Sequence, residues 1–413
     1  MYDLIAIGTE AKKMAAYVRR LSSKEKNDAL FACADALVEN TAFILAENAK
    51  DMAAADPERA SFNDRLMLDE ARVAAMAEGI RKVARQDDPT GDTLYMKELP
   101  NGLKIGERRV PLGVVGMIYE GRPNVTTDSF ALCFKAGNAC VLRGSRHAIN
   151  SNIALVTVLQ NALEGGKHPR KIVQLIEETS HEVAREFMRL NKYIDVLIPR
   201  GNAGLIQTTV ENSTIPTIET GIGNCHIFVD EFADLAKAVP LILNAKTQRP
   251  SVCNACEKLL IHRKLAGTFL QEICDALTAA GVEILGDAEV CAAYPSAKPA
   301  SEEDWYTEFL ALTIGVKIVD DMDAAVAHIA QYSSGHTEAI LTENYSNAHA
   351  FLDMVDSAAV FVNASTRFTD GEEFGLGAEV GISTQKLHAR GPMGLSALTT
   401  TKFFGLGSGQ VRG

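Results

Sequence analysis

The chain has 413 residues, 47% of them hydrophobic and 23% charged, which is the balance of a globular protein with more than one domain. A formal net charge of −12 without any basic run disfavours nucleic acid and anionic membranes as partners. The eight Cys lack the spacing of a disulfide framework, and with neither a signal-peptide pattern nor an apolar stretch of about 18 residues they predict a cytoplasmic protein.

The first 90 residues carry apolar side chains at helical spacing, and Ser22 followed by Glu25 predicts a capped helix start. Residues 93–110 then predict two strands joined by the turn Asn101-Gly102, because Asn-Gly is a strong signal for a hairpin. A lone hairpin is only marginally stable in water. We therefore expect the hairpin to pack on its own domain or on another subunit.

From residue 112 onward, continuous apolar strands alternate with helical stretches. The predicted strands cover residues 112–118, 139–144, 171–176, 193–199, 225–230, 257–262, 282–285, 316–320, 338–342, 359–363 and 399–407. The predicted helices cover residues 127–135, 150–163, 180–190, 205–210, 234–246, 264–280, 322–332 and 346–355. Helix 234–246 is expected to bend or break near Pro240. This alternation predicts parallel sheets covered on both faces, and therefore an α/β fold.

The first candidate site is the segment QRPSVCNACE, residues 248–257, between a predicted helix and an apolar strand. Loops in this position present side chains, and a Cys253 thiolate would attack a carbonyl group well and leave again. Two alternatives stay open. In the first, Cys253 and Cys256 form half of a metal site or a redox pair, although no second CxxC lies nearby. In the second, Cys253 is a buried structural residue.

Three further polar residues lie in loops that suit a ligand site. Asn124 follows the predicted strand 112–118, and the carboxyl ends of parallel strands hold ligands. Its amide is suited to donate to a developing oxyanion, unless it is simply a turn residue after Pro123. Glu219, in TIETGIGN, is a base or a backbone cap. Glu308, in WYTEFL, accepts from a sugar hydroxyl or is surface charge.

Two more strand ends carry groups that suit an anionic ligand. They are Arg143, Ser145 and Arg146 after strand 139–144, and Arg200, Gly201 and Asn202 after strand 193–199. The two Arg of the first group suit a phosphate by charge and bidentate geometry, but a solvated basic loop explains them equally well. The turn of the second group places a helix N-terminus at an anion, yet it matches neither a dinucleotide fingerprint nor a P-loop.

The order of these pieces resembles the aldehyde dehydrogenase superfamily. PLGVVGMIYEGRPN is similar to its oxyanion segment at Asn124, ETGIGN to its general-base segment at Glu219, and SVCNACEKLLIH to its nucleophile segment at Cys253. TEFL is similar to the segment whose Glu holds the nicotinamide ribose, which matches Glu308. Within the superfamily the chain resembles the γ-glutamyl phosphate reductases most. The blocks EGRPNVT, GNACVLRGS, LIPRGN, ETGIGNCH, NAKTQRPSVCNACE, GLGAEVGISTQKLHARGPMGL and TTTKFFGLG carry this resemblance along the whole chain.

The resemblance implies an α/β, aldehyde dehydrogenase-like fold with two Rossmann-like domains and a small β oligomerisation element. Residues 1–93 and 111–223 would form an NADP(H)-binding domain, and residues 224–395 a catalytic domain that carries Cys253. The hairpin within 94–110 would join a strand near Thr399 to Leu406, within 396–413. Because exposed strand edges are a liability, this element suits a subunit partner, and a homodimer or tetramer is expected.

The resemblance also implies a reaction, the NADPH-dependent reduction of L-glutamate 5-phosphate to L-glutamate 5-semialdehyde with release of phosphate. This is the second step of proline biosynthesis from glutamate. Cys253 would form a thioester, while Asn124 and the backbone amide at Cys253 stabilise the oxyanion, and no metal would take part. The expected partners are thus a small-molecule substrate and glutamate 5-kinase, since acyl phosphates are unstable in water and gain from a short path.

Two departures from aldehyde-oxidising members bear on these expectations. Those members carry Lys and Glu where this chain has Arg143 and Arg146, and because Arg favours a 2′-phosphate we expect NADP rather than NAD. Glu219 matches a base that activates water, but hydrolysis would waste an activated substrate, so its role stays open. Arg122 and Arg249 flank the Asn and Cys loops and are candidates for the anionic groups of the substrate.

Four rival functions stay open. They are an aldehyde dehydrogenase that makes a free acid, a CoA-acylating dehydrogenase, a non-catalytic homologue, and a zinc or redox protein. Dependence on phosphate or on CoA separates the first two from a phosphate-releasing reductase. Substrate protection of a reactive thiol and metal analysis test the other two.

Overall fold

The computed structural model describes residues 2–412, and the chain divides into two compact units. The first unit comprises the chain up to Thr220, Gly375–Gly381 and the chain from Met393 onward. The second unit comprises Gly221–Phe374 and Ile382–Pro392. Residues 375–381 were predicted to lie in the catalytic domain, but the structure groups them with the first unit. There the backbone N–H of Val380 donates to the carbonyl of Met393 at 2.9 Å.

The chain begins with five helices, in agreement with the helical spacing of its first 90 residues. They are α1 (Leu4–Val18), α2 (Ser23–Glu39), α3 (Thr41–Ala53), α4 (Ala60–Leu66) and α5 (Glu70–Arg85). The predicted capping box is confirmed, because the Ser22 hydroxyl accepts from the N–H of Glu25 and the Glu25 carboxylate accepts from the N–H of Ser22. Among the described residues, no single helix is long and apolar enough to cross a membrane, and only α2 and α3 together, at a bend of 67°, meet that test.

The first unit contains a four-stranded parallel sheet in the order β5-β4-β3-β6. Its elements follow the hairpin strands β1 (Thr93–Glu98) and β2 (Lys104–Pro111). They are β3 (Val114–Tyr119), α6 (Asn124–Lys135), β4 (Ala139–Arg143), α7 (Ile149–Gly165), β5 (Val173–Leu175), α8 (His181–Phe187), β6 (Val196–Arg200) and α9 (Ala203–Asn212). Every residue of β3 and β4 is buried, as expected for strands covered on both faces.

The second unit contains a seven-stranded parallel sheet in the order β10-β9-β11-β8-β7-β12-β13. Its elements are β7 (Cys225–Val229), α10 (Leu235–Thr247), β8 (Cys256–His262), α11 (Leu270–Ala279), β9 (Glu283–Gly286), α12 (Ala288–Ala293), β10 (Lys298–Pro299), α13 (Glu302–Tyr306), β11 (Thr313–Val319), α14 (Met322–Tyr332), β12 (Thr337–Leu341), α15 (Tyr345–Met354), β13 (Ala359–Val362), β14 (Ile382–Ser383) and β15 (Gly391–Pro392). Helix α10 continues through Pro240, so it is not broken there. Its buried Ala238, Ile242 and Ala245 hold it on the apolar core.

The hairpin forms a separate antiparallel sheet with the last strand, β16 (Thr399–Leu406), in the order β1-β2-β16. Gly102 closes the predicted turn with a φ of +81°, a conformation that glycine adopts without strain. The predicted pairing of the hairpin with the C-terminal strand is therefore confirmed. Together with the two parallel sheets, it confirms the predicted α/β class with a small β element.

Candidate active site

Asn124 lies at the carboxyl end of β3, within the first turn of α6. The helix begins three residues before the predicted start at residue 127, because Pro123 presets a helical φ at this position. The exposed Asn124 amide donates to Oδ2 of Asp128, one turn later, at 3.0 Å. Burial raises the pKa of Asp128 to about 6, against the opposing effects of Asn124 and Arg200. The amide nitrogen of Asn124 therefore has a defined orientation at the sheet edge.

A cavity of about 490 Å³ lies in the first unit at the carboxyl ends of β3 and β4. Its basic lining residues are Arg59, Arg143, Arg146, His147, His181 and Arg185. Glu120 is the only acidic residue among the described residues that line it. In a chain of net charge −12, this local excess of Arg favours a ligand that carries several negative charges.

The two predicted phosphate ligands on this edge, Arg143 and Arg146, have different surroundings. Arg143 is only 9% exposed, and its Nη2 donates to the carbonyls of Thr179 at 2.6 Å and Ser180 at 3.1 Å. This guanidinium therefore holds the segment before α8. Arg146 is exposed on the cavity lining, and the Ser145 hydroxyl between the two caps a short turn by accepting from the N–H of His147.

Sequence reasoning missed several residues of the cavity, among them Arg59, Phe62 and Arg185. The Arg59 guanidinium stacks 4.2 Å from the centre of the Phe62 ring, and that ring packs edge-on against His147. Burial, Arg146 and Arg59 lower the pKa of His147, so this imidazole is neutral near pH 7. No local signal identifies Arg59 and Arg185, because they lie on a loop and a helix far apart in the chain.

The turn after β6 is built around Asn202, which caps α9. The Asn202 side chain accepts from the N–H of Leu205 at 2.9 Å and donates to Oε1 of Glu120 at 2.8 Å, so it joins the ends of β6 and β3. At Gly201 a Cβ would fall 2.7 Å from the Leu205 side chain. The carboxylate of Glu120 therefore lies at the N-terminus of α9. The α9 residues that line the cavity are Gly204, Leu205 and Thr208.

Glu219 is half-buried in the stretch that follows α9. That stretch runs beside β6, where Thr217 pairs with Leu197 and the Thr220 hydroxyl donates to the carbonyl of Pro199 at 2.8 Å. Glu219 therefore lies at the edge of the first-unit sheet. This position is compatible with both a base and a structural role.

Cys253 is half-buried in the loop between α10 and β8, in the second unit. Its backbone carbonyl accepts from the thiol of Cys225 at 3.2 Å and packs on Gly223, where a Cβ would fall 1.4 Å from the same oxygen. Only glycine at position 223 allows the loop to take this position. Cys256 is buried on β8, and burial raises the pKa of its thiol to about 12.

The alternatives of a metal or redox site find no further support in this loop. Neither Cys253 nor Cys256 forms a disulfide bond in the structure. Across residues 2–412, no group of three or more His, Cys, Asp or Glu side chains is placed to hold a metal ion. The arrangement is that of a single accessible thiol beside a buried one.

Glu308 contacts the same glycine that supports Cys253. Its Oε1 accepts from the N–H of Gly223 at 2.8 Å, and burial raises the pKa of its carboxyl group. Beneath it, Nζ of Lys258 donates to Oδ1 of Asn224 at 2.8 Å and to the carbonyl of Thr307 at 2.7 Å. Lys258 therefore ties the segment of Glu308 to the segment of Gly223.

A buried carboxylate, that of Glu257, lies next to Lys258 in the sequence. Glu257 is fully buried and accepts from Nζ of Lys246 at 3.0 Å. Burial raises the pKa of the Glu257 carboxyl group and lowers that of the neighbouring Lys258. In the sequence, two charged residues at the start of an otherwise apolar strand indicate buried charges that need partners, and the structure supplies Lys246 as the partner of Glu257.

The predicted substrate ligands Arg122 and Arg249 are both exposed in the loops that carry Asn124 and Cys253. The structure adds a third guanidinium, that of Arg367, which donates to Gln248 and Asn254 on either side of Cys253. Sequence reasoning missed Arg367 because it follows β13, more than 100 positions further along the chain.

Comparisons with known proteins agree with this fold. Residues 3–292 match the model of the aldehyde dehydrogenase family. Proteins named γ-glutamyl phosphate reductase from Carboxydothermus hydrogenoformans and Clostridium botulinum (strain Eklund 17B) are 56% and 54% identical to this chain, over 100% of each chain. The crystal structure of γ-glutamyl phosphate reductase from Thermotoga maritima is 46% identical, with a TM-score of 0.98 and full coverage of both chains. The chain therefore belongs to the aldehyde dehydrogenase family and, within it, to the γ-glutamyl phosphate reductases.

Proposed function

We propose that this chain reduces L-glutamate 5-phosphate to L-glutamate 5-semialdehyde with NADPH and releases phosphate, the second step of proline synthesis from glutamate. The observation that carries the proposal is identity above 50%, over the full length, with proteins named for this reaction. The accessible Cys253, on a loop that Gly223 and Cys225 hold by its backbone, supports it chemically.

In this proposal Cys253 is the nucleophile. Its thiolate attacks the carbonyl carbon of the acyl phosphate, the carbon–oxygen bond to phosphate breaks, and a thioester forms. A nicotinamide cofactor, when bound, would supply the hydride that reduces this thioester. The carbon–sulfur bond then breaks, which releases the aldehyde and regenerates the Cys253 thiolate. One proton is consumed over the whole cycle, and no metal ion is required.

The oxyanion of each tetrahedral intermediate needs hydrogen-bond donors. We assign this role to the Asn124 amide, whose orientation Asp128 holds, and to the backbone N–H of Cys253. Glu219 would then shape the site and not activate water, because hydrolysis would destroy the activated substrate. Arg122 and Arg249 are the proposed ligands of the anionic groups of the substrate.

NADP(H) is the proposed cofactor, and its phosphate groups fit the cationic cavity of the first unit. The exposed Arg146 lines that cavity together with Arg185, whereas Arg143 holds its wall through the carbonyls of Thr179 and Ser180. An Arg beside the ribose favours a 2′-phosphate over a 2′-hydroxyl. Ser145 and the turn at Arg200, Gly201 and Asn202 would shape the same edge, and Glu308 would accept from the nicotinamide ribose.

A homodimer or tetramer is the proposed assembly, formed through the three-stranded sheet. All six residues of β1 are exposed, and Tyr95 of β1 and Phe403 of β16 are 47% and 66% exposed. An open strand edge with exposed aromatic side chains suits pairing with a second copy. Association with glutamate 5-kinase is proposed on chemical grounds, because that enzyme would deliver the unstable acyl phosphate directly.

The reverse reaction tests the proposed chemistry. The protein is mixed with glutamate 5-semialdehyde and NADP, and NADPH absorbance is followed with and without phosphate. We expect a signal that requires phosphate and that falls by about 10³-fold or more in Cys253→Ala, because the nucleophile is lost. The matched control is Cys291→Ala, which removes another half-buried thiol of the second unit and should keep full activity.

Two results would contradict the proposal. An equal signal without phosphate would mean that water accepts the acyl group, and the chain would then be an aldehyde-oxidising enzyme with Glu219 as its base. Full activity in Cys253→Ala would exclude the thioester.

A further inference from the structure

Arg367 lies in a short turn after β13, in the same unit as Cys253. Its Nε donates to Oε1 of Gln248 at 2.7 Å, and its Nη1 donates to Oδ1 of Asn254. Gln248 ends α10, and Asn254 directly follows Cys253. One guanidinium therefore holds both flanks of the loop that presents the thiol.

The contact between Arg367 and the loop is reciprocal. The Asn254 amide is only 3% exposed, and it donates to the backbone carbonyls of Arg367 at 3.3 Å and Thr369 at 2.9 Å. The Thr369 hydroxyl in turn accepts from the hydroxyl of Thr337, at the start of β12, at 2.9 Å. The guanidinium is thus fixed by a chain of hydrogen bonds that ends on the sheet, which limits its freedom and that of the loop.

The Arg367 guanidinium is half-buried and hydrogen-bonded to the residue that follows Cys253, and it has neighbours of both charge signs. The groups that interact with it electrostatically are Asp370, Arg249, Cys253 and Cys225. Burial raises the pKa of the Cys225 thiol well above its usual range, so that thiol stays neutral. Arg249 is exposed, whereas Arg367 is half-buried and tied to the loop.

The titratable groups on and next to the neighbouring strands include an imidazole and two buried carboxylates. Directly before β12, burial lowers the pKa of His336 to about 4, so the imidazole beside Cys225 is neutral. On β12, Glu338 accepts from the N–H of His226 at 2.6 Å. On β8, Glu257 is paired with Lys246. Among these groups, Arg367 is the cation that is hydrogen-bonded to both flanks of the loop.

We propose that Arg367 is a positioning residue for Cys253, which orients the thiol by holding both flanks of its loop and whose positive charge favours the thiolate. The physical reason is that a cation close to a thiol stabilises its deprotonated and reactive form. The inference rests on the proposed function in one respect, namely that Cys253 is the nucleophile.

The test follows alkylation of Cys253 by iodoacetamide in the full-length protein, read by mass spectrometry of its peptide, from pH 6 to pH 10. In Arg367→Gln we expect labelling at pH 7 to slow by about tenfold, and the pH of half-maximal labelling to rise by about one unit. Arg367→Lys keeps the positive charge but not the planar set of donors. The pH of half-maximal labelling should therefore return most of the way to that of the unchanged protein. The kcat should fall in Arg367→Gln while KM changes less than about twofold, because a positioning residue does not bind substrate.

Two further variants keep the test decisive if Arg367→Gln does not fold. Arg390→Gln removes another guanidinium of the same unit, which donates to Asp356, and should label like the unchanged protein. Gln248→Ala removes one exposed acceptor of Arg367 and should lower the labelling rate by a smaller factor.

The inference would be overturned if Arg367→Gln left the labelling profile and kcat unchanged. If Arg367→Gln does not fold, an unchanged labelling rate in Gln248→Ala would overturn it instead. A rise in KM without a change of the labelling profile would also overturn it, because Arg367 would then bind the substrate. Full activity in Cys253→Ala would instead refute the thioester, and the labelling profile would still report on Arg367.

Discussion

Arg143 and Arg146 stand three positions apart in the sequence, yet the structure gives them different tasks. Arg143 is nearly buried against two backbone carbonyls, and burial lowers the pKa of its guanidinium. Arg146 and Arg185 line the cavity with exposed side chains. At the scale of single residues, cofactor preference should therefore depend on Arg146 and Arg185, and the shape of the cavity on Arg143.

We expect Arg146→Gln and Arg185→Gln each to raise KM for NADPH by about tenfold while KM for NADH changes little. A hydrogen bond to a charged group is worth about 1.5–3 kcal/mol, and the 2′-phosphate is present only in NADPH. Steady-state kinetics with both cofactors measure the ratio. Arg170→Gln, which breaks an exposed ion pair with Glu164, serves as the control and should leave the ratio unchanged. An unaltered preference in both variants would refute this assignment of the 2′-phosphate site.

At the scale of elements, the antiparallel sheet of β1, β2 and β16 has an unusual surface. Tyr95 and Phe403 both stand opposite Glu107, so the two rings share one face of the sheet. Edge strands of monomeric proteins are commonly protected by charge or by Pro, but the first four residues of β1, Thr-Leu-Tyr-Met, contain neither, and only Lys97 and Glu98 are charged. This face and edge therefore suit burial against a second copy.

If the proposed oligomer forms through this sheet, Phe403→Asp should shift the protein to a smaller species, because a buried carboxylate opposes association. Size-exclusion chromatography with light scattering measures the mass. Tyr345→Asp is the matched control, since it places the same charge on an exposed aromatic position of α15. If both variants keep the mass of the unchanged protein, the sheet is not the contact surface.

At the scale of the whole molecule, the two units should respond differently to acid. His328, in the second unit, packs its ring 4.4 Å from that of Tyr332 and 5.4 Å from that of Trp305. Burial, with smaller effects of neighbouring cations, lowers its pKa from 6.5 to about 3. A lowered pKa stabilises the folded state above pH 6.5, and this contribution is lost as the pH falls from about 6.5 toward 3.

We therefore expect the melting temperature of the second unit to fall when the pH is lowered from 7.5 to 5. In His328→Phe this fall should be smaller by a few degrees. Trp305 is the single Trp of the chain, so its fluorescence reports on this unit alone. His349→Phe, at an exposed position of the same unit, should keep the acid response of the unchanged protein. An equal loss of melting temperature in His328→Phe would assign the acid sensitivity to other groups.

Features that depend on neighbours along the chain could be predicted without a structure. The capping box of Ser22 and Glu25, the turn at Asn101 and Gly102, and the alternation of strands and helices each involve residues a few positions apart. Local hydrogen bonds and side-chain periodicity suffice to specify such features. The order of the loops around Asn124 and Cys253 also identified the family, because those loops carry its motifs.

The distant residues that support these loops could be identified only once the fold was known. Arg367 is 119 positions from Gln248, and Glu308 is 85 positions from Gly223, so no local pattern relates them. The same holds for Arg143, whose partner Thr179 is 36 positions away. The physical reason is that a buried hydrogen bond forms wherever folding brings a donor and an acceptor together, and that meeting depends on packing of whole elements, not on spacing along the chain.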